Sequence, residues 1–148
     1  MSEDIRRLVL EILEQGQNMS LGTYDGEVWV NDVMYVYDGD FNIFWLSLDK
    51  TRHSKAILEH SQVAATITIS NNAAEENIGL QIEGMAEKIE GDVFEMAKKH
   101  RLKRGKPEPE KEGEILDPGE AWYMLKPARI ELIYESLFGY EKKVLELT

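Results

Sequence analysis

Residues 28–57, VWVNDVMYVYDGDFNIFWLSLDKTRHSKAI, carry the turning point of this chain. From Glu27 to Tyr37 the side chains alternate. Trp29, Asn31, Val33, Tyr35 and Tyr37 share one face, and Val28, Val30, Asp32, Met34 and Val36 share the other. Both faces are largely apolar, the pattern of a strand buried on two sides that lines a core and also an interface or a ligand. Asp38-Gly39-Asp40 is a hairpin signal, and the apolar run FNIFWLSL is the strand that returns from it. Then the character changes. Between Asp49 and Lys55 the cations Lys50, Arg52 and Lys55, with His53, crowd against one acid, and the hydroxyls of Thr51 and Ser54 sit among them. This knot opens a predicted helix from roughly Arg52 to His60, with Ala56 and Ile57 on its buried side.

The knot stands out because the rest of the chain is acidic. The 148 residues include 28 Asp and Glu against 17 Lys and Arg, a net charge of -11. That balance argues against nucleic acid and against anionic membranes, both of which need a basic face. Apolar residues make up 43% of the chain, enough for one globular domain over residues 1–148. Cysteine is absent, which excludes disulfides, thiolate metal sites and a thiol nucleophile. The N-terminus lacks the layout of a signal peptide, and no run is apolar and long enough to span a membrane. A cytoplasmic protein is expected.

Outward from the knot, other elements are legible. Ile5, Leu8, Val9, Ile12 and Leu13 recur at helical spacing ahead of Gly16, which is a natural stop. MSLGTY, before Asp25-Gly26, completes an expected three-strand meander with the two strands above. QVAATITIS and IGLQIEGMAEKIE are a fourth and fifth strand, and Gly84 inside the latter suggests a bulge. A helix is expected from Gly91 to about Leu102. The charged, Pro- and Gly-rich stretch from Gly105 to Glu120 reads as a surface loop. AWYMLK, ARIELIYES and YEKKVLEL close the chain as two or three strands. The whole is mainly β with helices, a small barrel of about six to seven antiparallel strands.

No serine-hydrolase elbow, P-loop or dinucleotide turn is present, and His53, His60 and His100 lack metal-ligand spacing. The knot is the remaining candidate. Unpaired N–H groups and the helix dipole favour an anion at a helix start, and Arg52, Lys55, Thr51 and Ser54 would complete a phosphate site there. The alternative is that Thr51 merely caps the helix and the cations are surface charge.

These segments, followed by WYMLKPARIELIYESLFGYEKKVLEL, resemble the pyridoxamine-phosphate-oxidase-like, FMN-binding split-barrel flavoproteins. The resemblance runs from Met19 onward and is nearest a small bacterial branch marked by LDKTRHSKA and LFGYEKK. It implies a split barrel, a homodimer and one FMN in each cleft between subunits. Carried across position by position, Thr51, Arg52, His53 and Lys55 surround the FMN phosphate, with Ser54 beside them. The backbone of Val33, Met34 and Tyr35, with Ser47 and Leu48, lies along the isoalloxazine and ribityl chain. Gln81 stands on the glutamine-bearing strand, and Trp122 approaches the flavin across the dimer.

The chain departs from true pyridoxamine phosphate oxidases. Their strand cations are replaced by Asn31 to Val36, and Arg129 alone stands where a C-terminal Arg/His substrate motif is expected. The expected function is therefore an FMN-dependent oxidoreductase or flavin reductase, with a small-molecule electron donor or acceptor and no assigned catalytic side chain. The alternatives are a non-catalytic protein binding flavin or another phosphorylated or tetrapyrrole ligand, and an F420-dependent reductase. The last would use the basic run of Lys98, Lys99, Arg101, Lys103 and Arg104.

Overall fold

The computed structural model describes residues 2–110 and 116–147, with only the backbone of Ser2. Residues 111–115, within the expected loop from Gly105 to Glu120, lie outside the described residues. Helix α1 (Ser2–Gln15) buries the stripe read from its spacing: Ile5, Leu8, Val9, Ile12 and Leu13 are all in the core. Gly16 then donates to the Ile12 carbonyl at 2.9 Å. A side chain there would collide, because a Cβ would lie 2.7 Å from Ile67 Cγ2. The close approach of α1 to the sheet, and not a special turn, requires this glycine.

Eight strands follow among the described residues. They are β1 (Asn18–Tyr24), β2 (Val28–Met34), β3 (Val36–Tyr37), β4 (Ile43–Leu48), β5 (Gln62–Thr68), β6 (Ile78–Ile89), β7 (Glu120–Tyr134) and β8 (Lys143–Glu146). The helices between them are α2 (Arg52–Glu59), α3 (Phe94–Lys103) and the single turn α4 (Glu135–Phe138). All described pairings are antiparallel, in the order β2-β1-β5-β6-β7-β4-β3, with β8 added to β7. The result is the mainly β, curled half-barrel expected from the sequence.

The expected meander is corrected in one place. The single strand anticipated from Glu27 to Tyr37 breaks at Tyr35. β2 pairs with β1 at one edge of the sheet, and β3 pairs with β4 at the other. The chain at Tyr35 thus joins the two edges and brings them side by side. Its backbone serves a helix instead of the ladder: the Tyr35 carbonyl accepts from Lys103 Nζ at 2.6 Å, and the Tyr37 carbonyl accepts from Lys99 Nζ at 3.1 Å. The Tyr35 side chain is fully buried, with its hydroxyl donating to the Leu13 carbonyl at 2.7 Å.

Burial on both faces also fails for the first half of β2. Val28, Trp29 and Val30 are 80%, 40% and 65% exposed. They sit on an edge strand, where the Arg52 guanidinium packs on Trp29 and Val28 and Val30 stay open among the described residues.

The two strands expected before LFGY are one, β7, which runs straight through Pro127. It can do so because the ladder is already broken there. The register against β6 shifts between Glu83 and Gly84, leaving Gly84 opposite Pro127. A proline without an N–H is tolerated at such a bulge. Gly84 allows the close approach, since a Cβ would lie 2.8 Å from Pro127 Cα and against the Lys126 carbonyl oxygen.

The main core gathers α1 and the inner face of the sheet, including Trp45, stacked on Tyr123 at 5.9 Å. A smaller cluster of Val36, Phe44, Val93, Ala97 and Trp122 seats α3 against β4 and β7. No helix among the described residues is long and apolar enough to cross a membrane.

Candidate functional site

Helix α2 begins where β4 ends. Thr51 is its N-cap, and the Thr51 Oγ1 accepts from the Ser54 N–H at 3.3 Å. Ser54 Oγ donates to the Leu48 carbonyl at 2.9 Å, and Thr51 Oγ1 lies 2.7 Å from Ser54 Oγ. Ser54 is fully buried, so its hydroxyl closes the strand-to-helix turn and is not presented outward. The first turn of α2 carries no acid, which leaves the positive end of the helix dipole uncompensated. Lys55 is exposed. The Arg52 guanidinium is engaged elsewhere, with Cζ 4.1 Å from the Trp29 ring centroid and Nη2 3.6 Å from Glu27 Oε2.

His53 turns inward. Its Nε2 lies 2.8 Å from Ser47 Oγ, and burial holds the imidazole below its usual range, in the neutral form at physiological pH. Beside this pair opens a cleft of about 310 Å³. Val33, Met34 and Leu46 form its apolar wall, and Ser47, His53 and His100 bring polar groups. His100 is 8% exposed and meets the Trp122 ring edge-on at 5.3 Å. Burial, reinforced by Arg104, Lys103 and Lys106, pushes its imidazole down to about 4. Two neutral imidazoles thus face one cleft.

The residues expected at the site do not all meet. Val33, Met34, Ser47 and His53 line the cleft together, Thr51 Oγ1 lies 3.4 Å from His53 Nε2, and Arg52 is directed to Trp29 and Glu27 instead of lining the cleft. Trp122 lines an adjoining cavity of about 340 Å³, which shares Leu46, His100, Arg104 and Glu120 with the cleft. Leu48 is exposed at the end of β4. Tyr35 and Gln81 lie apart. The Tyr35 ring is in the core, and Gln81 is on β6, where its amide oxygen accepts from Lys142 Nζ at 2.8 Å.

No protein-family profile matches the chain. A UPF0306 protein of Enterobacter sp. strain 638 is 31% identical over 86 residues, covering 55% of this chain and 58% of the relative. The chain therefore matches little more than half the length of these curated relatives. Solved structures match over more of it. A Listeria innocua protein provisionally assigned as a pyridoxamine 5'-phosphate oxidase superposes with a TM-score of 0.71 at 18% identity, covering 87% of this chain and 98% of that one. The fold is the pyridoxamine-phosphate-oxidase-like split barrel.

Other split barrels of this kind differ in what they hold. A heme-binding protein from Mycobacterium smegmatis matches with a TM-score of 0.67 at 15% identity, covering 99% of this chain and 58% of that one. An F420 reductase matches at 0.62 with 18% identity, covering 81% and 93%. In the split barrel described here, His100, Glu120 and Leu46 complete the site and were not read as site residues from the sequence, and Arg104, read there only as part of the basic run, joins them. One signal was available. Val93, Ala97 and His100 recur at spacings of four and three, so His100 continues the buried face of α3, and Arg104, four residues on, is its exposed C-cap.

Proposed function

We propose that this chain is an FMN-binding flavoprotein, most simply an oxidoreductase or flavin reductase. The carrying observation is the α2 start: a capped helix with an acid-free first turn, two cations at Arg52 and Lys55, and a half-apolar cleft opening next to it. The residues present fit the cofactor. Arg52, Lys55 and the free N–H groups of the first turn would take the phosphate, with Ser54 bracing the turn from behind. Val33, Met34 and Leu46 would bear on the ring system, and Ser47 with the neutral His53 would hydrogen-bond polar atoms along the chain. Bound FMN supplies the hydride and electron chemistry, and the protein supplies orientation and electrostatics. A homodimer belongs to the same reading, because a second copy would cover Val28, Trp29 and Val30 on the open β2 edge.

A second reading rests on a different observation. His53 and His100 are both held neutral and line the same cleft, and the neutral imidazole is the form that ligates heme iron. The basic run on α3 is the feature that an F420 tail would use. Of its members, Lys99 and Lys103 are engaged with backbone carbonyls.

One spectrum separates the readings. The purified chain is mixed with FMN or with hemin, freed of excess by gel filtration, and its visible absorption recorded. About one flavin retained per chain is expected. Retention of hemin alone, with a Soret band lost in His100→Ala, would replace the flavin reading with the heme one.

A further inference from the structure

A second cavity, of about 440 Å³, lies on the other side of α3 and shares no described lining residue with the His53 cleft. Its apolar lining comes from Leu13, Val36 and Leu102, and its charged lining from Glu14, Asp38, Lys99 and Lys103. The four charges cancel in number but are not equally available. The Asp38 carboxylate is turned into its own hairpin, where it accepts from the Asp40 N–H at 2.9 Å, the Asn42 N–H at 3.0 Å and Asn42 Nδ2 at 3.0 Å. Glu14 accepts from the Tyr37 hydroxyl at 2.6 Å. Each lysine is anchored by one backbone carbonyl, Tyr37 for Lys99 and Tyr35 for Lys103. An ammonium has three N–H donors, so both lysines keep donors to spare. The lysines thus keep uncommitted donors, Glu14 keeps its second carboxylate oxygen facing the same space, and the remaining wall is apolar.

We propose that this cavity is a binding site for a small carboxylate with an apolar tail. Lys99 and Lys103 receive the carboxylate as charge-assisted donors, and Leu13, Val36 and Leu102 take the tail. The state of Lys103 agrees with this assignment. Burial lowers its ammonium to about 8, opposed by Glu14, while the Tyr35 carbonyl and the Tyr35 ring, 3.7 Å from Nζ, favour the charged form. At neutral pH it is therefore charged but poorly solvated, and an entering carboxylate supplies the missing partner. Tyr37 is pushed up to about 12 and stays a neutral phenol across this range, Asp38 stays bonded in its turn, and Glu14 and Lys99 are the other charged groups that line the cavity. Affinity therefore falls as the pH rises through about 8, where Lys103 loses its proton.

The test is an amide chemical-shift titration of the whole chain with hexanoate, and with hexanamide as its neutral counterpart. Saturable shifts are expected at Val36, Gly39 and Leu102 and not at Ser47 or His53. Hexanamide should bind roughly tenfold more weakly. Lys99→Ala should weaken hexanoate severalfold. Leu102→Glu, on an exposed helix position, should do the same without disturbing the fold. Equal affinity for acid and amide, shifts outside the cavity, or no saturation would each overturn the assignment. None of these outcomes depends on whether the chain retains FMN.

Discussion

Arg52, the first residue of α2, packs its guanidinium on Trp29 of β2, with Cζ 4.1 Å from the ring centroid. The cation expected to serve a phosphate thus also touches the exposed apolar edge strand. Replacing Arg52 with Glu should reduce flavin retention to background while leaving the far-ultraviolet circular dichroism unchanged. Arg52→Lys should retain an intermediate amount, since it keeps the charge and loses the planar fork. Trp29 emission should change when FMN or inorganic phosphate is added to the wild type. Full retention in Arg52→Glu would remove the phosphate from this helix start.

Ser54→Ala should cost about 1 kcal/mol of stability, the usual net worth of a hydrogen bond whose partners stay satisfied. The Leu48 carbonyl keeps the Thr51 N–H and hydroxyl as donors, and Thr51 Oγ1 keeps the Ser54 N–H. Urea unfolding followed by tryptophan fluorescence measures it. No change in midpoint would show that the turn does not need this hydroxyl.

Gly84→Ala places a methyl group against the Lys126 carbonyl and Pro127 Cα, neither of which can swing aside. A loss of roughly 2–3 kcal/mol is expected, at the upper end of overpacking costs. Gly39, with open space around its Cα, is the control position, where Ala should be tolerated. Thermal melts of the two variants make the comparison.

Burial and neighbouring cations hold the His100 imidazole at about 4 in the folded chain, below its ordinary value. The unfolded chain therefore binds the proton more readily. Stability is flat above about pH 6.5, falls as the pH drops from there to about 4, and levels off below, as far as this group is concerned. His100→Gln should be flatter than the wild type across that window, by on the order of 1–3 kcal/mol at its acid end. Parallel pH profiles of the two proteins would sink the prediction.

Val30→Lys puts a charge on the exposed face of β2, at a side chain that is 65% exposed in the single chain. The variant should fold normally and run as a monomer in light scattering, where the proposed homodimer predicts a dimer for the wild type. A monomeric wild type would dissociate the edge strand from any self-association.

Much of this molecule was readable in one dimension. The α1 stripe, the Thr51 cap, the α2 helix and the bulge at Gly84 all follow from local rules, because spacing states which face a residue occupies and small residues state where backbones meet. The basic knot from Asp49 to Lys55 was legible because its charge is reversed against a chain of net charge -11. Spacing does not state which strand lies alongside. The alternation from Glu27 to Tyr37 runs unbroken through Tyr35, yet the backbone there leaves one edge of the sheet for the other. Lys99 and Lys103, more than sixty residues away, take its carbonyls. Likewise Thr51 and Ser54 carry equivalent hydroxyls three residues apart, and only packing against Leu48 decided that Ser54 is sealed inside. The meeting of His53 and His100 in one cleft is of this second kind. It arises where α3 docks on β4 and β7, a contact set by the competition among all apolar faces for a common core and by no local pattern.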